Sequence, residues 1–137
     1  MIKQVNHIGI AVNSLSESIP FYRDVLNLEF KGIKEVEDQK VKVAMFKVGE
    51  IQIELLEPTS PESAIARFLD KHGGGLHHIA FETGDIESEL EGLRDKRIRL
   101  VDDSPRPGAH GTRIAFIHPK SSGRVLTEIC QPGGKKE

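Results

Sequence analysis

Apolar and polar positions alternate with a period of two over residues 4–12. Val5, His7, Gly9 and Ala11 share one face, and Ile8, Ile10 and Val12 share the other. That alternation predicts a strand, because successive side chains of an extended chain point to opposite sides. The period then changes. Leu15, Ile19, Tyr22 and Leu26 have helical spacing, with Ser14 as N-cap and Glu17 completing a capping box. Pro20 falls inside this pattern, so the helix either begins there or is re-set there. Strands are predicted over 29–37, 40–48 and 51–57, the last two joined at Gly49-Glu50. A helix over 61–71 follows, capped by Ser60 with Pro61 at its first position and ended by His72-Gly73-Gly74-Gly75.

The same order then recurs. A strand is predicted over 77–83, then a helix capped by Asp85 whose core face holds Ile86, Leu90 and Leu93. Strands over 97–102, 112–118 and 124–130 complete the second half, separated by the loops 105–111 and 118–123. The tail from Gly133 to Glu137 reads as frayed. The expected fold class is α+β, built from two tandem βαβββ modules that form a curved mixed sheet with helices on one side. Module one spans about 4–58, the linker helix about 60–72 and module two about 76–132. A module this small covers its own sheet poorly, so residues 1–137 are expected to form a single domain.

Chemistry recurs with the pattern. His7 precedes Ile8-Gly9 and His78 precedes Ile79-Ala80, about 71 residues apart. Gly49, Glu54 and Pro58 recur as Gly123, Glu128 and Pro132 at an offset of about 74. The repeat selects His78 over its neighbour His77, and Glu54 over Gln52. Two imidazoles and two carboxylates suit one divalent first-row metal, and an octahedral ion keeps two positions for substrate oxygens. A strand carboxylate flanked by apolar residues is costly to bury unless it is paired or metal-bound. Either repeat alone reads as ordinary strand polarity; recurrence in register is what raises the metal reading.

The remaining composition narrows the field. The chain has 137 residues, 37 % hydrophobic and 29 % charged, as in an ordinary soluble domain. A net charge of -2 gives no ground for a nucleic-acid partner. The single cysteine excludes an internal disulfide and a thiolate zinc finger, which fits a reducing, cytoplasmic setting. No long apolar run or signal peptide is seen, so no membrane association is expected.

These residues resemble the vicinal oxygen chelate superfamily, which pairs two βαβββ modules around a metal. Within it the chain resembles the methylmalonyl-CoA epimerase family over nearly its whole length. The resemblance is carried by Asn6-His7-Ile8-Gly9-Ile10-Ala11-Val12, Ile53-Glu54-Leu55-Leu56-Glu57-Pro58 and Gly74-Gly75-Leu76-His77-His78-Ile79-Ala80-Phe81. Gly108-Ala109-His110-Gly111, Phe116-Ile117-His118-Pro119-Lys120 and Gly123-Arg124-Val125-Leu126-Thr127-Glu128 complete it. It implies one divalent metal ion held by His7, Glu54, His78 and Glu128, cobalt first, with manganese, nickel or zinc as alternatives. It implies inversion at C2 of a CoA thioester, whose carboxylate and thioester oxygens chelate the metal and stabilise an enediolate.

Inversion needs an acid and a base on opposite faces of C2. Glu128 is one candidate. The family places a second glutamate on the strand before Glu54, where this chain has Lys42 with Val43 next. Lys42 reads either as the acid–base partner or as a solvated strand residue, and hairpin register decides. A three-residue loop puts Lys42, Ala44 and Phe46 on the face of Glu54; a two-residue loop puts Val41, Val43 and Met45 there. His118, Lys120 and Ser121 are candidates for the CoA tail, with Arg113 and the 108–111 loop beside them, although each also reads as ordinary turn chemistry. A homodimer is expected, as is common in the superfamily. Rival functions are a glyoxalase I-type lactoylglutathione lyase, an extradiol dioxygenase and a metal-free small-molecule binding protein.

Overall fold

The computed structural model describes residues 1–108 and 111–133. Ala109 and His110, part of the expected 108–111 loop, and residues 134–137 of the expected tail lie outside the described residues. The chain divides into two compact units, His7–His77 and Met1–Asn6 with His78–Glu137. The first strand, β1 (Ile2–Ala11), contributes to both. The fold class is α+β, as expected.

In the first unit the strand order is β2 (Glu29–Val36), β3 (Val41–Val48), β4 (Ile51–Pro58), then the His7–Ala11 stretch of β1. β1 runs parallel to β4, placing His7 beside Gln52, Gly9 beside Glu54 and Ala11 beside Leu56. β3 and β4 form a tight antiparallel hairpin closed by the Val48–Ile51 pair. Gly49, at φ +61°, occupies the first turn position, where a left-handed backbone is needed and a side chain is unwelcome.

Helix α1 (Leu15–Pro20) starts at Ser14, whose side chain accepts the Glu17 N–H at 3.3 Å. Pro20 re-sets the helix: it has no N–H to continue the α ladder, and residues Phe21–Val25 form a wider π turn in which Leu26 N–H donates to Phe21 O at 3.0 Å. Leu15 and Ile19 pack on Ala44, Phe46 and Leu55, one face of the sheet. Helix α2 (Ala64–His72) packs Ile65, Phe68 and Leu69 on Ala11, Val41, Val43 and Leu56, the opposite face. The expectation of helices on one side is thus corrected for this unit. It failed because β3 is apolar at nearly every position, a pattern that marks a strand covered on both faces.

Helix α2 also starts three residues later than expected. Its N-cap is Ser63, accepting the Ile65 N–H at 3.0 Å, while Ser60 closes a separate turn by accepting the Glu62 N–H at 3.1 Å. Two serines three apart each offered a cap, and the one adjoining the apolar helix face won.

In the second unit the order is the start of β1, then β5 (Gly75–Thr83, its residues from His78 on), β8 (Thr127–Gln131), β7 (Arg113–Ile117) and β6 (Arg106–Pro107). Helix α3 (Ile86–Asp95) is capped by Asp85 through the Ser88 N–H and packs Ile86, Leu90 and Leu93 on Phe81, Ala115, Ile117 and Ile129. The strand expected over 97–102 does not form. Arg97 adopts φ +64°, and the stretch makes a single bridge, Leu100 to Ile117. Its alternation is still used, since Ile98 and Leu100 pack into the same core as α3. β8 begins three residues later than expected, because Gly123 at φ +68° and Arg124 at φ +72° hold a turn.

Candidate functional site

Each unit presents one histidine–glutamate pair on a sheet face. In the first unit, His7 Nε2 lies 3.7 Å from Glu54 Oε1. The parallel register brings them together: Gly9 is beside Glu54, and His7 precedes Gly9 by two residues on the same face. Gly9 supplies no side chain, so the glutamate reaches along β1 toward the imidazole. In the second unit, His78 Nε2 lies 3.2 Å from Glu128 Oε1. There Ala80 is beside Glu128, again two residues after the histidine and again small. The same two atom types face one another in both halves.

The pairs differ in burial. The side chains of His78 and Glu128 are 8 % and 5 % exposed, whereas Glu54 is 20 % exposed. Phe116 sits across the strand pair from Glu128, and its ring meets the His78 ring edge-on with centroids 5.7 Å apart. A carboxylate this buried carries a large desolvation cost unless it is paired or metal-bound. His7, His78 and Glu128 are all buried. Two imidazoles and a carboxylate form a donor set that could hold a divalent metal ion. Glu54, the fourth expected ligand, stands outside that buried set.

His77 belongs elsewhere. Its ring packs edge-on against Phe68 of α2 at 4.9 Å. The hairpin register settles Lys42. The two-residue loop forms, Met45 is opposite Glu54, and Val43 and Val41 share that face. Lys42 lies on the other face, exposed, opposite Glu57. It is not beside Glu54, and the acid–base reading of Lys42 is withdrawn. The lysine on the face of Glu54 is Lys47, opposite Gln52. Sequence reading missed it because an odd or even loop length inverts every assignment on the strand.

His118 caps a short 3-10 turn at Pro119–Ser121, accepting the Lys120 N–H on Nδ1 at 3.1 Å. Ser121 accepts the Arg99 N–H at 2.9 Å, and the His118 N–H donates to Arg99 O at 2.9 Å. Desolvation, with the Arg99 and Lys120 charges behind it, holds the His118 imidazole below its ordinary range. His118, Lys120 and Ser121 are therefore brought together, and Arg99 joins them unforeseen. Arg113 is not part of this cluster; it is held by Glu87 at 2.6 Å. Arg106 was also missed. It lies over the Phe116 ring, and nothing in the 105–111 stretch signals that placement.

With this geometry in hand, comparison with known proteins defines the class. Residues 6–116 match the glyoxalase/bleomycin resistance protein/dioxygenase superfamily, and the chain belongs to that family. Three relatives are more specific. The ethylmalonyl-CoA/methylmalonyl-CoA epimerase of Cereibacter sphaeroides is 36 % identical, with 96 % of this chain and 99 % of that one covered. The mitochondrial methylmalonyl-CoA epimerase of Mus musculus is 36 % identical over 93 % of this chain and 72 % of its own. A solved methylmalonyl-CoA epimerase in complex with methylmalonyl-CoA and ammonium is 39 % identical. It superposes with a TM-score of 0.91 over 96 % of each chain. No helix among the described residues is long and apolar enough to cross a membrane.

Proposed function

We propose that this protein is a methylmalonyl-CoA epimerase, interconverting the (R) and (S) forms at C2 by proton transfer. The observation that carries the reading is the duplicated histidine–glutamate pair with a small residue beside each glutamate, found in a chain whose relatives bear that name. His7, His78 and Glu128 would hold one divalent ion, cobalt being our first expectation, with Glu54 as a fourth and more exposed ligand. The ion would act as a Lewis acid toward the substrate's carboxylate and thioester oxygens, which lie close enough in the molecule to be gripped together.

The chain's own residues supply the proton transfer. Inversion requires removal of the C2 proton on one face and its return on the other. With Lys42 turned away and apolar Val43 and Met45 on the face of Glu54, the candidates are the carboxylates paired with histidine, Glu54 and Glu128, one from each unit. We assign Glu128 to one face of C2 and Glu54 to the other. Each is a carboxylate able to take a proton, and His7 and His78 hold them in place. The apolar wall of Ala80 and Phe116 keeps water from the Glu128 side. His118, Lys120, Ser121 and Arg99 form a cationic cluster suited to the phosphates of the CoA tail. We further propose that the two units work as one domain, and that the protein acts in the cytoplasm as a homodimer.

The test is turnover of single-isomer methylmalonyl-CoA set beside isomerisation of the methylglyoxal–glutathione adduct. Racemisation of the first with no turnover of the second is expected. The reverse result moves the protein to the lactoylglutathione lyases, and binding without turnover of either moves it to the binding proteins.

A further inference from the structure

Arg106 is placed in a way that neither the family match nor the histidine–glutamate pairs account for. It sits in β6 opposite Ile114, so its side chain shares the sheet face of Phe116 and Glu128. Its Cζ lies 5.5 Å from the Phe116 ring centroid, a cation–π contact. Asp102 fixes it there: Oδ1 accepts from Arg106 Nε at 3.1 Å, and Oδ2 accepts the Phe116 N–H at 2.9 Å. One carboxylate thus ties the guanidinium to the strand that faces Glu128. Gly108, two residues on, is closely packed, since a Cβ there would lie 2.6 Å from Thr112 Oγ1.

This fixation engages Nε and leaves both Nη groups without a bond among the described residues. The side chain remains 42 % exposed. Arg113, in the same hairpin, is on the opposite face and spends Nη2 on Glu87. A planar fork with two adjacent donors, held over an aromatic ring, is matched to a carboxylate. The same Phe116 ring meets both this fork, 5.5 Å from its centroid, and the His78 imidazole, centroids 5.7 Å apart. That is too near for the phosphates of a CoA thioester, which its long pantetheine arm carries away from the acyl group. The acyl end is what comes so close.

We infer that Arg106 binds the free carboxylate of the acyl group and so selects malonyl-type over simple acyl thioesters. The inference rests on the proposed epimerase reading and adds the residue that reads the substrate's second charge. A substrate carboxylate has two oxygens, so one remains for Arg106 when the other is engaged elsewhere.

The test is calorimetric binding of methylmalonyl-CoA and propionyl-CoA to metal-loaded wild type, Arg106→Met and Arg106→Lys, with thermal unfolding of each. Arg106→Met should weaken methylmalonyl-CoA by about 10- to 100-fold and propionyl-CoA by less than about twofold. Arg106→Lys, which keeps the charge but loses the fork, should fall between. Equal losses for both ligands, or no loss for either, overturn the inference; equal losses mark a CoA-phosphate or structural role instead. Failure of wild type to bind methylmalonyl-CoA overturns the epimerase reading itself, a distinguishable result. If Arg106→Met unfolds early, Arg106→Lys carries the comparison alone.

Discussion

Replacing Glu128 by glutamine removes a charge and a proton acceptor at nearly constant volume. Glu128 is 4 % exposed and 3.2 Å from His78 Nε2, so the change touches a desolvated pair rather than a hydrated surface one. Loss of a positioned general base costs about 10²- to 10⁴-fold in rate, equivalent to a barrier higher by about 3–5 kcal/mol. Stability should move in the opposite direction. Burying a carboxylate carries a desolvation penalty of several kcal/mol, so metal-free Glu128→Gln should unfold no earlier than metal-free wild type. The assay is C2 proton exchange in heavy water, followed by NMR on each pure isomer at saturating metal with metal content measured. With one face disabled, one isomer should still exchange without inverting, and the other should be inert. Glu54→Gln should reverse which isomer exchanges. Wild-type inversion by Glu128→Gln, or exchange of both isomers at the wild-type rate, refutes the two-carboxylate assignment.

Lys42→Ala should leave kcat/KM within about twofold and stability within about 0.5 kcal/mol, because the residue is an exposed strand position on the far face; steady-state kinetics and urea unfolding check both. Phe46→Ala should cost about 3–5 kcal/mol in urea unfolding, since Phe46 is 0 % exposed and its ring packs against Tyr22 and Phe30. His118 should titrate below its ordinary value of 6.5 in an NMR titration of the free protein. A bound phosphate favours the protonated imidazole and raises that value, so binding takes up a proton. CoA affinity should therefore strengthen as pH falls toward the depressed value, and His118→Gln should flatten this dependence. An unchanged profile in His118→Gln removes His118 from the CoA site.

Much of this architecture was legible in the chain because local chemistry and burial agreed. Ser14 and Asp85 cap the helices they precede, and Ile86, Leu90 and Leu93 form the core face their spacing suggests. The two histidine–glutamate pairs were legible because duplication gave every position a second reading. What failed was not written locally. Lys42 depended on whether a turn holds two or three residues, a choice made by Gly49 and the whole hairpin. The 97–102 stretch alternates like a strand yet is governed by the left-handed Arg97 and by α3 beneath it. Arg106 had no signal of its own, since its placement follows from a two-residue strand, Asp102 and Phe116 acting together.

The central claim is that the duplicated pairs hold one metal on which proton transfer at C2 depends. Its most direct test measures exchange of the C2 proton of methylmalonyl-CoA in heavy water with metal-depleted and metal-restored protein, alongside metal analysis. The account predicts one divalent ion per chain, loss of exchange on depletion and recovery on restoring cobalt. Undiminished exchange by protein shown to be free of metal would contradict it.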